Sequence, residues 1–199
     1  MGTNVILDIM GSIIIGGILL ITLFRVSDRA TESTYNKTGD LTIQQNIASV
    51  VRLLEYDFRK IGYCADWKKI PNPAKAILLA DVDKIKFLTD VDKDGNVDTI
   101  FYYLGPTSEL IYTANPRDRF LYRVVNNEKP AKVNLGVTHF QLVYYDVDKK
   151  IIPAPVGVYS GIYTIQIDVA VEDIEAYDQK YSQVFWRQLK LVARNLKNR

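Results

Sequence analysis

Chemistry-bearing residues are scarce in this chain. Cys64 is the single cysteine, so no intrachain disulfide can form. It reads as a small buried hydrophobe. His139 is the single histidine, lies in an apparent strand, and reads as structural. No nucleophile elbow, HExxH, CxxC or phosphate-cradling GxxxxGK[ST] occurs, so nothing points to turnover. Charge of one sign is lacking too: 25 Lys and Arg face 23 Asp and Glu, a net charge of +2. Without a clustered basic face, nucleic acid is not an expected partner. No basic stretch precedes the first apolar run and no small-x-small site follows it, so that run is expected to be retained rather than removed as a secretory signal.

That run, Val5–Phe24, is the strongest positive feature. It is long enough to cross a bilayer. It holds one acid, Asp8, and an acid there costs about 2.5–3.5 kcal/mol on insertion scales, which calls for a partner or a role. Gly11, Gly16 and Gly17 permit close helix–helix approach, although the spacing is not GxxxG. Arg25 and Arg29 follow the span, which by charge alone would place the head on the cytoplasmic side.

A polar extension runs from Arg25 to Asp40. Gly39-Asp40 reads as a break, and Thr42-Ile43-Gln44-Gln45 as a capping box that restarts the helix. Ile47, Val50, Val51, Leu54, Phe58 and Ile61 then recur at three and four spacing, one apolar stripe for laying on a sheet. Glu55 and Arg59 form an i,i+4 pair on the polar side, and Gly62 reads as the stop.

Beyond Pro71 and Pro73 the periodicity changes to two. Strands are predicted at Ala76–Ala80, Lys84–Thr89, Thr99–Leu104, Glu109–Thr113, Phe120–Val125, Lys132–Asn134 leading into His139–Asp146, Tyr163–Val171 and Ser182–Val192. In the last of these Val184, Trp186, Leu189 and Leu191 are the candidate inward residues. Seven of the 13 tyrosines fall in these segments and suit sheet packing better than ligand stacking. The expected organisation is α+β. Residues 1–40 form an apolar N-terminal helix with its polar extension. Residues 41–199 form a head with an amphipathic helix at 41–62 packed on an antiparallel sheet at 76–194.

One segment has metal-ligand spacing. Asp90, Asp92, Asp94 and Asp98 take positions one, three, five and nine of a calcium-type loop, Asn96 position seven, and Gly95 the sharp turn at six. Position twelve is Phe101 rather than the closing Glu. Two readings stand: an acidic hairpin tip at Asp94-Gly95 or Gly95-Asn96, and a structural Ca2+ site. No cofactor is required by either. Asp146–Lys150 and Asp81–Asp83 read as solvated turns.

The order of parts resembles the type IV pilin-like superfamily, in detail its PilW-like minor pilins and J-type pseudopilins. Three stretches carry the likeness. Leu53–Tyr63 is similar to the family's L-x-x-D-hydrophobic-R-x-x-G-Y stretch. Ile85–Asp90 through Asp98–Leu104 looks like its strand–Asp/Gly turn–strand unit. Trp186 through Arg194-Asn195-Leu196 looks like its closing strand. The resemblance implies a structural subunit of a type IV pilus or type II secretion filament, partnered by other pilin subunits. It implies a single-pass inner-membrane protein before assembly and an extracytoplasmic or cell-surface filament afterwards. It also implies that an acid five residues into the mature chain pairs with a neighbour's N-terminal amine. Asp8 takes that place in a chain beginning at Asn4; the family's basic leader and Gly–Phe processing site have no counterpart here. Two other classes remain as rivals: a membrane-anchored extracytoplasmic binding module that never polymerises, and a bitopic enzyme.

Overall fold

The computed structural model describes residues 2–173 and 183–191. Its architecture is the α+β arrangement expected. One helix, α1 (Gly2–Arg59), packs its C-terminal part on an antiparallel sheet. The strands are β1 (Ile77–Ala80), β2 (Lys84–Thr89), β3 (Asp98–Leu104), β4 (Arg119–Val125), β5 (Ala131–Tyr145), β6 (Ile151–Ile152), β7 (Thr164–Glu172) and β8 (Gln183–Leu191). They lie in the order β1-β2-β3-β4-β5-β7-β8, with β6 paired to the end of β5.

The predicted stripe is the face that docks. Ile47, Val50, Leu54, Phe58 and Ile61 are buried, joined by Ile43, while Val51 packs at the margin. They meet the alternating inward residues of the sheet: Ile85 and Phe87 from β2, Ile100 and Tyr102 from β3, Phe140, Leu142 and Tyr144 from β5, Ile165, Ile167 and Val169 from β7. Phe58 packs at the centre, its ring 5.5 Å from that of Phe87 and 5.8 Å from that of Tyr102. Tyr103 stacks between Phe101 and Tyr122, at 5.0 Å from each, so tyrosines do serve the sheet. Val184 and Trp186 of β8 pack against the core as expected; the side chains of Leu189 and Leu191 lie outside the described residues.

The expected break at Gly39-Asp40 is absent. α1 runs through it, and Thr42 caps nothing: its hydroxyl donates back to Thr38 O at 3.0 Å. Gly39 has a packing reason instead, because the carboxylate of Asp173 lies where a β-carbon would stand. The stop is where it was expected. Gly62 adopts a φ of +72°, and its N–H donates to Leu88 O at 2.9 Å, tying the helix end to β2. The Glu55–Arg59 pair forms at 3.7 Å on the surface.

Two further differences concern strands. Glu109–Thr113 is not one: Thr107–Leu110 is a short 3-10 turn after Pro106, and Ile111 and Tyr112 are exposed. Glu109 there accepts from the Tyr122 hydroxyl at 2.7 Å, which holds the turn against β4. The stretch 132–146 is a single strand rather than two, with a bulge at Thr138. Its hairpin to β6 is the Asp146–Lys150 turn, closed by Lys150 N–H on Asp146 Oδ1 at 2.8 Å.

Candidate functional site

The first candidate is the helical stalk. Residues 5–42 of α1 lie almost entirely outside the head, and among Val5–Phe24 every large apolar side chain is more than half exposed. This stretch is long and apolar enough to cross a membrane and could anchor the protein there. Two hydroxyls within it are satisfied by the helix itself. Ser12 donates to Asp8 O at 2.8 Å, and Thr22 to Leu19 O at 2.7 Å, so both hydroxyls are spent on their own helix. Asp8 is exposed with the apolar residues around it.

The second candidate is the loop between β2 and β3. It is not the two-residue tip expected from Asp94-Gly95 or Gly95-Asn96. Residues 90–97 form a longer loop wrapped around a buried acid. Asp90 is fully enclosed and accepts N–H bonds from Lys93 at 2.6 Å and from Ala65 and Gly95 at 3.0 Å. Burial pushes the Asp90 carboxyl up, but the amides of Ala65, Gly95 and Lys93 outweigh it and hold the group below the ordinary carboxylate range. Each following acid repeats the device. Asp92 accepts from Asp94 N–H at 3.1 Å, Asp94 from Asn96 N–H at 2.7 Å, and Asp98 from Val91 N–H at 2.9 Å. Lys93 and Gly95 take positive φ to close the turns.

Of the five predicted ligands the loop brings three together. One oxygen each of Asp90, Asp92 and Asp98 lie within 4.8 Å of one another, and this trio could hold a cation. Asp94 and Asn96 are not part of it; they bond to each other, and Lys69 Nζ donates to Asn96 Oδ1 at 2.7 Å. Lys60 Nζ donates to Val91 O at 2.8 Å, adding positive charge at the loop's base. Cys64 sits beneath, buried, its thiol pushed up by burial and then by Asp90.

Sequence reasoning missed a third group, the buried acid of the helix. Asp57 is 1 % exposed and accepts from the Tyr102 hydroxyl and from Arg123 Nε, each at 2.6 Å. Burial and then the Asp57 charge push the Tyr102 hydroxyl well above its ordinary value; burial draws Arg123 down, but its bonds to Asp57 raise it overall. The signal was present: an acid beside Phe58, three residues from Leu54, interrupts the stripe and needs a partner. His139, the remaining candidate for chemistry, is exposed on β5 with its ring 6.4 Å from that of Phe185.

Comparison of the chain with protein-family models, with curated proteins and with solved structures gives no match.

Proposed function

We propose that this chain is a structural subunit of a filament of the type IV pilus or type II secretion kind, a minor pilin or pseudopilin that assembles through α1. One observation carries the reading. A single unbroken helix is bare and apolar along Val5–Phe24 and is locked into the head core from Ile43 onward. Such a surface is unstable in water and needs lipid or other apolar helices around it. In the membrane it serves as an anchor. In a filament the same faces pack against neighbouring copies or related subunits, and Asp8 pairs with a neighbour's N-terminal amine, offsetting the cost of its burial. The head would then be extracytoplasmic. The reading requires no cofactor; a Ca2+ ion at Asp90, Asp92 and Asp98 would be structural.

The test is electron microscopy of material sheared from native cells, with mass spectrometry of its subunits and their N-termini. Presence of this chain in filaments, beginning at Thr3 or Asn4, is the expected result. Asp8→Ala is expected to reduce incorporation while leaving the head folded. Recovery in the membrane fraction alone, monomeric in detergent, would replace this reading with the anchored binding module, and normal incorporation of the Asp8 variant would remove that residue's role.

A further inference from the structure

Among the described residues, the buried side-chain atoms without a hydrogen-bond partner are both carboxylate oxygens of Asp118, Nε of Arg119 and the hydroxyl of Thr138. All lie at one corner. Asp118 immediately precedes β4, Arg119 opens it and pairs with Val137, and Thr138 is the bulged residue of β5 that follows. Asp118 is 1 % exposed. A buried ionised carboxylate with no donor is among the costliest groups a fold can hold.

Its neighbours raise the cost. Glu172 and Asp173, at the end of β7, face it with like charge. Of the cations, Arg117 is engaged with Glu172 through Nε at 2.9 Å and Nη2 at 2.7 Å, and Arg119 flanks the acid in the chain. The Thr113 hydroxyl lies close enough to favour the charged form of Asp118, but its single proton is best placed on Leu110 O at 2.8 Å. Asn115, fully buried, clamps the corner shut: its Nδ2 donates to Glu172 Oε2 at 2.9 Å and to Asp173 O at 3.1 Å, and its Oδ1 accepts from Arg117 N–H at 3.0 Å. The trio at Asp90, Asp92 and Asp98 is the one place among the described residues where three acids bring oxygens within a cation's reach, so this corner lacks the geometry of a metal site. A proton is the charge that fits.

The corner also touches the stalk. Asp173 lies against Gly39, a few residues below Ile43, where α1 emerges from the head. We propose that the corner is a proton-operated latch at this neck: with Asp118 protonated, the loop 113–118 holds the end of β7 so that Asp173 closes on α1, and loss of the proton sets three carboxylates against one another and loosens the contact. The latch belongs to the head and holds whether α1 ends in a membrane or in a filament.

Burial first, and then the charges of Glu172 and Asp173, push the Asp118 carboxyl up from 3.8 to about 6, outweighing the Thr113 hydroxyl and the Arg117 charge, which pull it down. The folded state therefore binds the proton more tightly than the unfolded chain. Its contribution is fully present below pH 4 and is lost as the pH rises through about 6. A shift of that size changes the folding equilibrium by at most about a hundredfold, since each pH unit within the window is worth a factor of about ten.

The test is hydrogen exchange of the full chain in detergent micelles at pH 4.5 and 7.5, corrected for the intrinsic pH dependence of exchange. Protection of residues 36–43 and 111–118 is expected to fall at least tenfold at the higher pH, and to become independent of pH in Asp118→Asn. Equal protection at both pH values, or the same fall in the variant, overturns the proposal. A second measurement stands if the variant fails to fold: the carboxyl carbon resonance of Asp118 in the wild-type chain should titrate near pH 6, and a midpoint at or below 4 overturns the latch. Calcium that restores protection at pH 7.5 through Asp118 would overturn it in favour of a cation site.

Discussion

Asp57 shows how much one residue can hold. It fastens α1 to two strands at once, through Tyr102 of β3 and Arg123 of β4, in a nearly dry setting. Removing one partner of such a group leaves the other charge stranded. Asp57→Ala is expected to cost about 3–5 kcal/mol, read as a lower denaturation midpoint. Asp90 is a second case with a different cause. Its carboxylate gathers amides from a loop and from the segment after the helix, so Asp90→Ala orphans several N–H groups and should cost about 3 kcal/mol. The loss is expected to be the same with calcium or with chelator present; a difference in thermal midpoint between the two would show that an ion shares the site. The spacing of acids in 90–98 was legible, but the burial of Asp90 was not, because its donor Ala65 lies 25 residues earlier in the chain. Asp57 and Arg123 are 66 residues apart, and nothing local pairs them.

At the scale of elements, periodicity did most of the work. The stripe from Ile47 to Ile61 and the alternation in β2 and β5 read correctly because one face of each is more buried than the other, while β7 was legible from its β-branched alternation although both its faces are buried. Where the reading failed, a distant contact overrode local preference. Glu109–Thr113 has the composition of a strand but no neighbour to pair with, and it turns instead. Gly39 has the look of a helix breaker, yet it is a place where Asp173 approaches the helix closely. This has a measurable consequence. Gly to Ala in a helix interior normally gains about 1 kcal/mol. Gly39→Ala is expected to gain nothing, because the new methyl displaces the Asp173 carboxylate. In an Asp173→Ala background the same change should recover its benefit, and a double-mutant cycle by thermal unfolding would show the coupling.

The molecule as a whole divides its labours along α1. The head core begins at Ile43 and draws on nothing in Val5–Phe24. A chain lacking residues 1–24 is therefore expected to be monomeric in buffer without detergent and to retain the near-ultraviolet signature and thermal midpoint of the head. It should lose membrane partition altogether. Its remaining polar stalk, rich in Thr and Ser and largely exposed below Gly39, is expected to fray, since isolated helical segments of that length are marginal in water. The α+β layout and the division of the helix into a bare apolar part and a docked part were legible from hydropathy and period alone. The corner around Asp118 was not, because it joins the start of β4 to the end of β7, more than fifty residues further on.

The continuity of α1 has a mechanical meaning. With no break between its bare and its docked parts, the helix is a torsionally stiff shaft joining whatever grips its lower end to the head. Asp8 stands about 50 Å below Ile43, and each residue between them turns the shaft by about 100°. The bearing of the head about the shaft axis is thus encoded in the count of residues along the polar stretch, and its heading cannot be adjusted by a loop. A twist applied at the lower end is passed along the helix to the sheet with no loop to absorb it.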